Sequence, residues 1–146
     1  LKTGSKTSFY KWIDDIKKAY RHRTELEEKL QFYETRLIGY NAVTYDSIGS
    51  SSTKNNVEEN LLYVIEKIDK TKARLDAAQK IIDEYMVFKS NIKQQEALVL
   101  EYLVETSLNK SEIALMMHLS RSRVHIITIS IAKSFDFMIL MDNVGS

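Results

Sequence analysis

Residues 109–135 read NKSEIALMMHLSRSRVHIITISIAKSF, and the reading of this string decides the end of the chain. Asn109-Lys110-Ser111-Glu112 has the form of a capping box. The Asn109 side chain accepts from a backbone N–H two or three residues on while Glu112 reaches back, so a helix starts there. That helix continues through Ile113, Ala114 and Met117 and breaks at His118-Leu119. Ser120 is a second N-cap and launches another helix toward Leu140. A capped helix of about eight residues, a tight turn at an apolar residue and a second capped helix is the grammar of a helix-turn-helix. Ala114 is small where the helices must cross, and Ile113, Leu119, Val124 and Ile127 fall where they fill the wedge between them.

Moving toward the N-terminus, residues 93–105 form a shorter helix with Ala97, Leu98, Leu100, Tyr102 and Leu103 on a broad apolar face. Before Ser90 the rhythm is different. Trp12, Ala19, Leu26, Tyr33 and Tyr40 recur seven apart, interleaved with Ile16, Arg23, Leu30 and Leu37. A second series combines Val57, Val64, Thr71, Ala78 and Tyr85 with Leu61, Ile68, Leu75 and Ile82. Nine interleaved positions in each segment, broken only by Arg23 and Thr71, describe two long helices that each present a narrow apolar seam. The serine-rich stretch 41–55 reads as the loop between them. The expected fold is therefore all-α: a long antiparallel helical hairpin over 6–90 with its loop at 41–55, followed by a helix-turn-helix unit over 91–142. Pairing outward from the loop brings Arg23 near Thr71. A parallel homodimeric coiled coil is the alternative use of the same seams.

Composition limits the function classes. The absence of proline and the presence of four glycines suit long helices, and 44% apolar residues suffice for a packed core. With no cysteine, disulfides, thiolate metal sites and thiol redox chemistry are excluded. The paired acids Asp14-Asp15, Glu27-Glu28, Glu58-Glu59 and Asp83-Glu84 point about 100° apart on a helix and do not converge. No nucleophile elbow, glycine-rich phosphate loop or HExxH spacing occurs, and the three histidines have no acidic cluster around them. Neither an enzyme nor a metal or cofactor site is expected. No unbroken apolar run approaches the roughly 20 residues of a membrane span, and the first twenty residues lack the apolar stretch of a signal peptide, so a cytoplasmic protein is expected. Net charge is +1, and residues 91–146 hold five Lys/Arg against six Asp/Glu, a weak footprint for a nucleic-acid binder.

The run EIALMMHLSRSRVHII, with Arg121 and Arg123 around Ser122 and then Val124, resembles region four of primary sigma factors. The order of the whole chain is two long helical segments with a serine-rich break between them and a sigma-like end. In this it resembles phage transcriptional regulators of the ArpU and RinA type. The resemblance implies a regulator of phage or prophage transcription in a bacterial host, activating late or packaging genes, with duplex DNA as partner and RNA polymerase as a further one. Carried onto this chain, DNA contacts fall on Lys110, Ser111, Ser120, Arg121, Ser122, Arg123 and His125. A guanidinium is the usual bidentate reader of guanine, and a helix N-terminus favours phosphate.

The chain departs from the sigma pattern after Arg123, where His125-Ile126-Ile127-Thr128-Ile129-Ser130-Ile131 is largely apolar. On a helical wheel Val124, Ile127, Ile131, Phe135 and Met138 share the core face, whereas Ser122, Ile126, Ile129, Lys133 and Leu140 lie opposite. Ile126, Ile129, Lys133 and Leu140 are therefore candidate partner contacts, with a second subunit as the expected cover. The alternative function is a protein-interaction module of helix-turn-helix shape, binding a repressor or a polymerase subunit without touching DNA. The aromatic set Trp12, Tyr20, Phe32, Tyr33, Tyr40, Tyr63 and Tyr85 is expected to pack in the core and rim of the long helices.

Overall fold

The computed structural model describes the backbone of residues 2–46 and 51–145, and the side chains of residues 8–40 and 56–142. Within these residues the protein is all-helical, with five helices and no strands: α1 Lys2–Asp46, α2 Ser51–Ser90, α3 Gln94–Glu105, α4 Lys110–Met117 and α5 Arg121–Gly145. The long helices reach further into the serine-rich stretch than its composition predicts. α1 continues to Asp46 and α2 begins at Ser51, covering 41–46 and 51–55 of the expected loop, and residues 47–50 lie outside the described residues. Serine and asparagine are only mildly unfavourable in a helix, and no proline is present to stop one.

The chain divides into two compact units, one of residues 1–19 with 81–146 and the other of residues 20–80. The unit of residues 20–80 is built on the heptad seam. Leu26, Val64, Ile68, Thr71 and Ala78 are buried, and Leu30, Tyr33, Leu37, Val57, Leu61 and Leu75 are half-buried. Arg23 is taken up by Gln79, donating from Nη1 to Oε1 over 3.3 Å, and its guanidinium lies 5.2 Å from the centre of the Tyr20 ring. The partner of Arg23 thus lies eight positions beyond Thr71, about 12 Å along the helix, so the pairing register differs from the one counted outward from the serine-rich stretch. Phe32 and Tyr63, expected to pack, are instead exposed. Arg36 covers the first ring and Lys67 the second, each as a cation over an aromatic face.

The other unit holds a wider core. Phe9, Ile16, Tyr85, Val99, Leu100, Ile113, Val124 and Ile131 are fully buried. Trp12 and Phe135 stack with centroids 4.7 Å apart, Phe88 meets Trp12 edge-on at 5.1 Å, and Phe9 meets Phe135 at 5.9 Å. The start of α1 and the end of α2 therefore contribute to one aromatic cluster with α5, where the heptad reading assigned Trp12 and Tyr85 only to the seam. The Tyr85 hydroxyl donates to Glu105 Oε2 over 2.8 Å, and Lys89 sits 3.6 Å from the same carboxylate. Lys17 Nζ donates to the Thr106 carbonyl at the end of α3. Buried Glu96 accepts from Ser130 Oγ at 2.6 Å and from the Lys93 backbone N–H at 3.3 Å, so its carboxylate ties α5 to the start of α3.

Candidate nucleic-acid interface

The local geometry at α4 and α5 follows from three capping events. Asn109 Oδ1 accepts from the Glu112 N–H at 2.9 Å, and Glu112 Oε1 accepts from the Asn109 N–H at 3.2 Å, which completes the reciprocal box. α4 ends at His118, whose φ of 57° and ψ of 40° are left-handed, with the Leu119 N–H donating to the Ala114 carbonyl at 2.9 Å. This is the C-terminal turn that glycine usually supplies, here taken by an exposed histidine. Ser120 Oγ then accepts from the Arg123 N–H at 3.0 Å and starts α5. Three residues, 118–120, thus join two helices packed through Ile113, Ala114, Val124 and Ile127, all buried, with Leu119 half-buried between them.

At the start of α5, a shallow groove of about 450 Å³ is lined by Lys110, Arg121, Ser122, His125 and Ile126. Four of these are sequence candidates for DNA contact, and the fifth, Ile126, was expected to meet a protein partner. Ser111, Ser120 and Arg123 are exposed but do not line the groove. Ser120 is occupied as a cap. Arg123 falls on the other flank of α5, because residues two apart on a helix point about 200° apart.

Lys110 Nζ stands 2.9 Å from His125 Nδ1. An ammonium has only donors, so in this contact the imidazole Nδ1 is the acceptor. Lys110 also lies 6.0 Å from the centre of the Tyr10 ring of α1, a contact for which the sequence holds no local signal. The groove collects two fixed cations at the N-terminal end of a 25-residue helix, whose first N–H groups have no intrahelical acceptor. An anion with several oxygens, such as a phosphate, matches that set of donors.

Comparison with protein-family models, with curated proteins and with solved structures returns no match for this chain.

The remaining candidates form the outward strip of α5. Val124, Ile127, Ile131 and Phe135 are buried and Met138 half-buried, as the wheel predicts. On the opposite face Ile126 is 55% exposed, Ile129 38%, Phe137 64% and Leu140 59%, and Lys133 is exposed as well. The expectation that no segment has the length and apolarity of a membrane span also changes. Arg121–Asp142, 22 residues of mean hydropathy 1.6, is long and apolar enough to cross a bilayer by length and composition alone. The average rises because isoleucines stand on both faces of the helix, although charged and polar residues interrupt every run. One of those faces is already core, so only the other is available to a partner. Among the described residues no cluster of three or more metal-ligating side chains occurs.

Proposed function

We propose that this protein is a transcription regulator of phage or prophage type that binds duplex DNA through a C-terminal helix-turn-helix, α4–turn–α5, carried on a long antiparallel hairpin of α1 and α2. The observation that carries this reading is the groove at the start of α5. It gathers Lys110, Arg121, Ser122 and His125 at the N-terminal end of α5, where the helix dipole is positive. In a major groove such a helix start supplies phosphate contacts from Lys110 and the backbone, and places Arg121 where a guanine edge is read. The sigma-like run and the two observed caps support the same reading. RNA polymerase is the further partner that the resemblance implies.

The test is titration of the protein with random duplex and with DNA from upstream of its own operon, at two salt concentrations. Binding should weaken steeply with salt; Lys110→Ala should reduce the slope of log K against log salt by about one unit, and Arg121→Ala should relax the sequence preference, each leaving the melting temperature unchanged. Absence of binding at low salt ends this reading. The alternative, a protein-interaction module that meets a repressor or a polymerase subunit without DNA, is favoured by one observation: the exposed isoleucines Ile126 and Ile129 directly follow the cationic start of α5.

A further inference from the structure

The exposed strip of α5 is symmetric. Its members Ile126, Ile129, Lys133, Phe137 and Leu140 are spaced three, four, four and three residues apart, so the series reads the same from either end, with two apolar positions on each side of a central lysine. We infer that α5 pairs antiparallel with α5 of a second copy of this chain, about a two-fold axis at Lys133. In that register Ile126 faces Leu140 of the other copy and Ile129 faces its Phe137, so each apolar residue finds an apolar partner.

Charge selects the antiparallel direction. The start of α5 carries Arg121 and Arg123, whereas the stretch 137–142 carries no cation and one carboxylate, Asp142. A parallel pair sets two cationic ends side by side at the 8–10 Å of packed helices, within a Debye length of each other. An antiparallel pair sets each cationic start beside the C-terminal end of the other helix, where the dipole is negative. The central lysines are compensated too. Asp136 lies on the flank of the strip three residues from Lys133, about 4.5 Å along the helix, within reach of the lysine on the opposing helix.

This arrangement has a second consequence, which rests on the DNA-binding reading above. Arg121 and Ser122 lie twelve and eleven residues from the axis, so their two copies are about 36 and 33 Å apart at 1.5 Å per residue. One turn of B-DNA separates the half-sites read by dimeric helix-turn-helix proteins by about 34–36 Å. A two-fold axis perpendicular to two antiparallel helices also turns the same flank of each toward one side. The Lys110, Arg121 and His125 flanks of both copies then face a single duplex, while Ile126, the apolar wall of each groove, is covered by Leu140 of the other copy.

The chain has no cysteine, so single introduced cysteines report the pairing directly. Sedimentation equilibrium at tens of micromolar should give twice the 17.0 kDa of the chain. Mild oxidation should convert Lys133→Cys to a covalent dimer and leave Ile126→Cys monomeric, and a mixture of Ile126→Cys with Leu140→Cys should cross-link. Lys133→Asp should weaken dimerisation at least tenfold, and adding Asp136→Lys should restore it. Self-cross-linking of Ile126→Cys as readily as Lys133→Cys overturns the antiparallel register. A monomeric mass overturns the pairing altogether, including the case of a monomer that floats with lipid vesicles. The DNA reading is separable: a dimer that cross-links as described but binds no duplex supports the pairing and removes the DNA reading, while a monomer that binds duplex does the reverse. If both hold, sites selected from random DNA should be inverted repeats spaced by about 10 base pairs.

Discussion

The unit of residues 20–80 and the unit of residues 1–19 with 81–146 are both helical, yet they hold themselves together differently. The first buries a single seam one or two side chains wide, much of it half-buried, with Thr71 and Ala78 at central positions. The second buries large side chains from several directions, with Trp12 and Phe135 against each other and each against both Phe9 and Phe88. A seam is specified by repetition and tolerates a weak position, because neighbouring layers repeat the same contact. A convergent cluster is specified by shape, and each member supports several others.

The sharpest way to break this comparison is to empty the cluster. Phe135→Ala removes a buried ring touching three other aromatic side chains and should cost about 3–5 kcal/mol in chemical denaturation. A loss of no more than about 2 kcal/mol would mean that the cluster is no more cooperative than a seam. In the other unit, Ile68→Ala removes a buried seam residue. The expected loss is about 2–3 kcal/mol, at the lower end for such a truncation because exposed neighbours can close in, with a matching fall in helical circular dichroism.

A smaller effect is expected at the caps. Ser120→Ala deletes the acceptor for the Arg123 N–H and should cost about 1 kcal/mol, recovered by Ser120→Asp, as read by thermal melting. The smallest concerns Glu66, whose hydrogen bond and charge attraction to Lys70 hold its carboxyl below the usual range. A depressed carboxylate contributes stability at pH values above the unfolded pKa, and this is lost as pH falls through the folded pKa. Glu66 is fully exposed, so Glu66→Gln should leave the acid limb of the stability curve unchanged within error.

What could be read from the sequence depended on how local its cause was. The capping box at Asn109 and the cap at Ser120 involve residues three apart, and both form as the residue types dictate. The eighteen seam positions were legible because repetition averages over single residues, and none of the eighteen is exposed. The destination of Trp12 and Tyr85 was not legible. Periodicity reports which face is buried and says nothing of which element covers it, so the meeting of Trp12 with Phe88 and Phe135 left no trace in the heptads. The candidate site divides in the same way. Helix periodicity alone separates Arg121 from Arg123, but only the fold shows which of them joins Lys110 in the groove, and that Lys110 lies beside Tyr10.

Trp12 is the only tryptophan in the chain, and it stands inside the aromatic cluster. Its emission is therefore a reporter confined to one of the two units, blind to residues 20–80, whereas far-ultraviolet dichroism weighs every helix by its length. Recorded on one sample across a denaturant series, the two signals amount to a count of cooperative transitions. Coincident curves describe a molecule that melts as a whole, and an early dichroism loss at constant indole emission describes one whose long seam opens while the aromatic cluster is still folded.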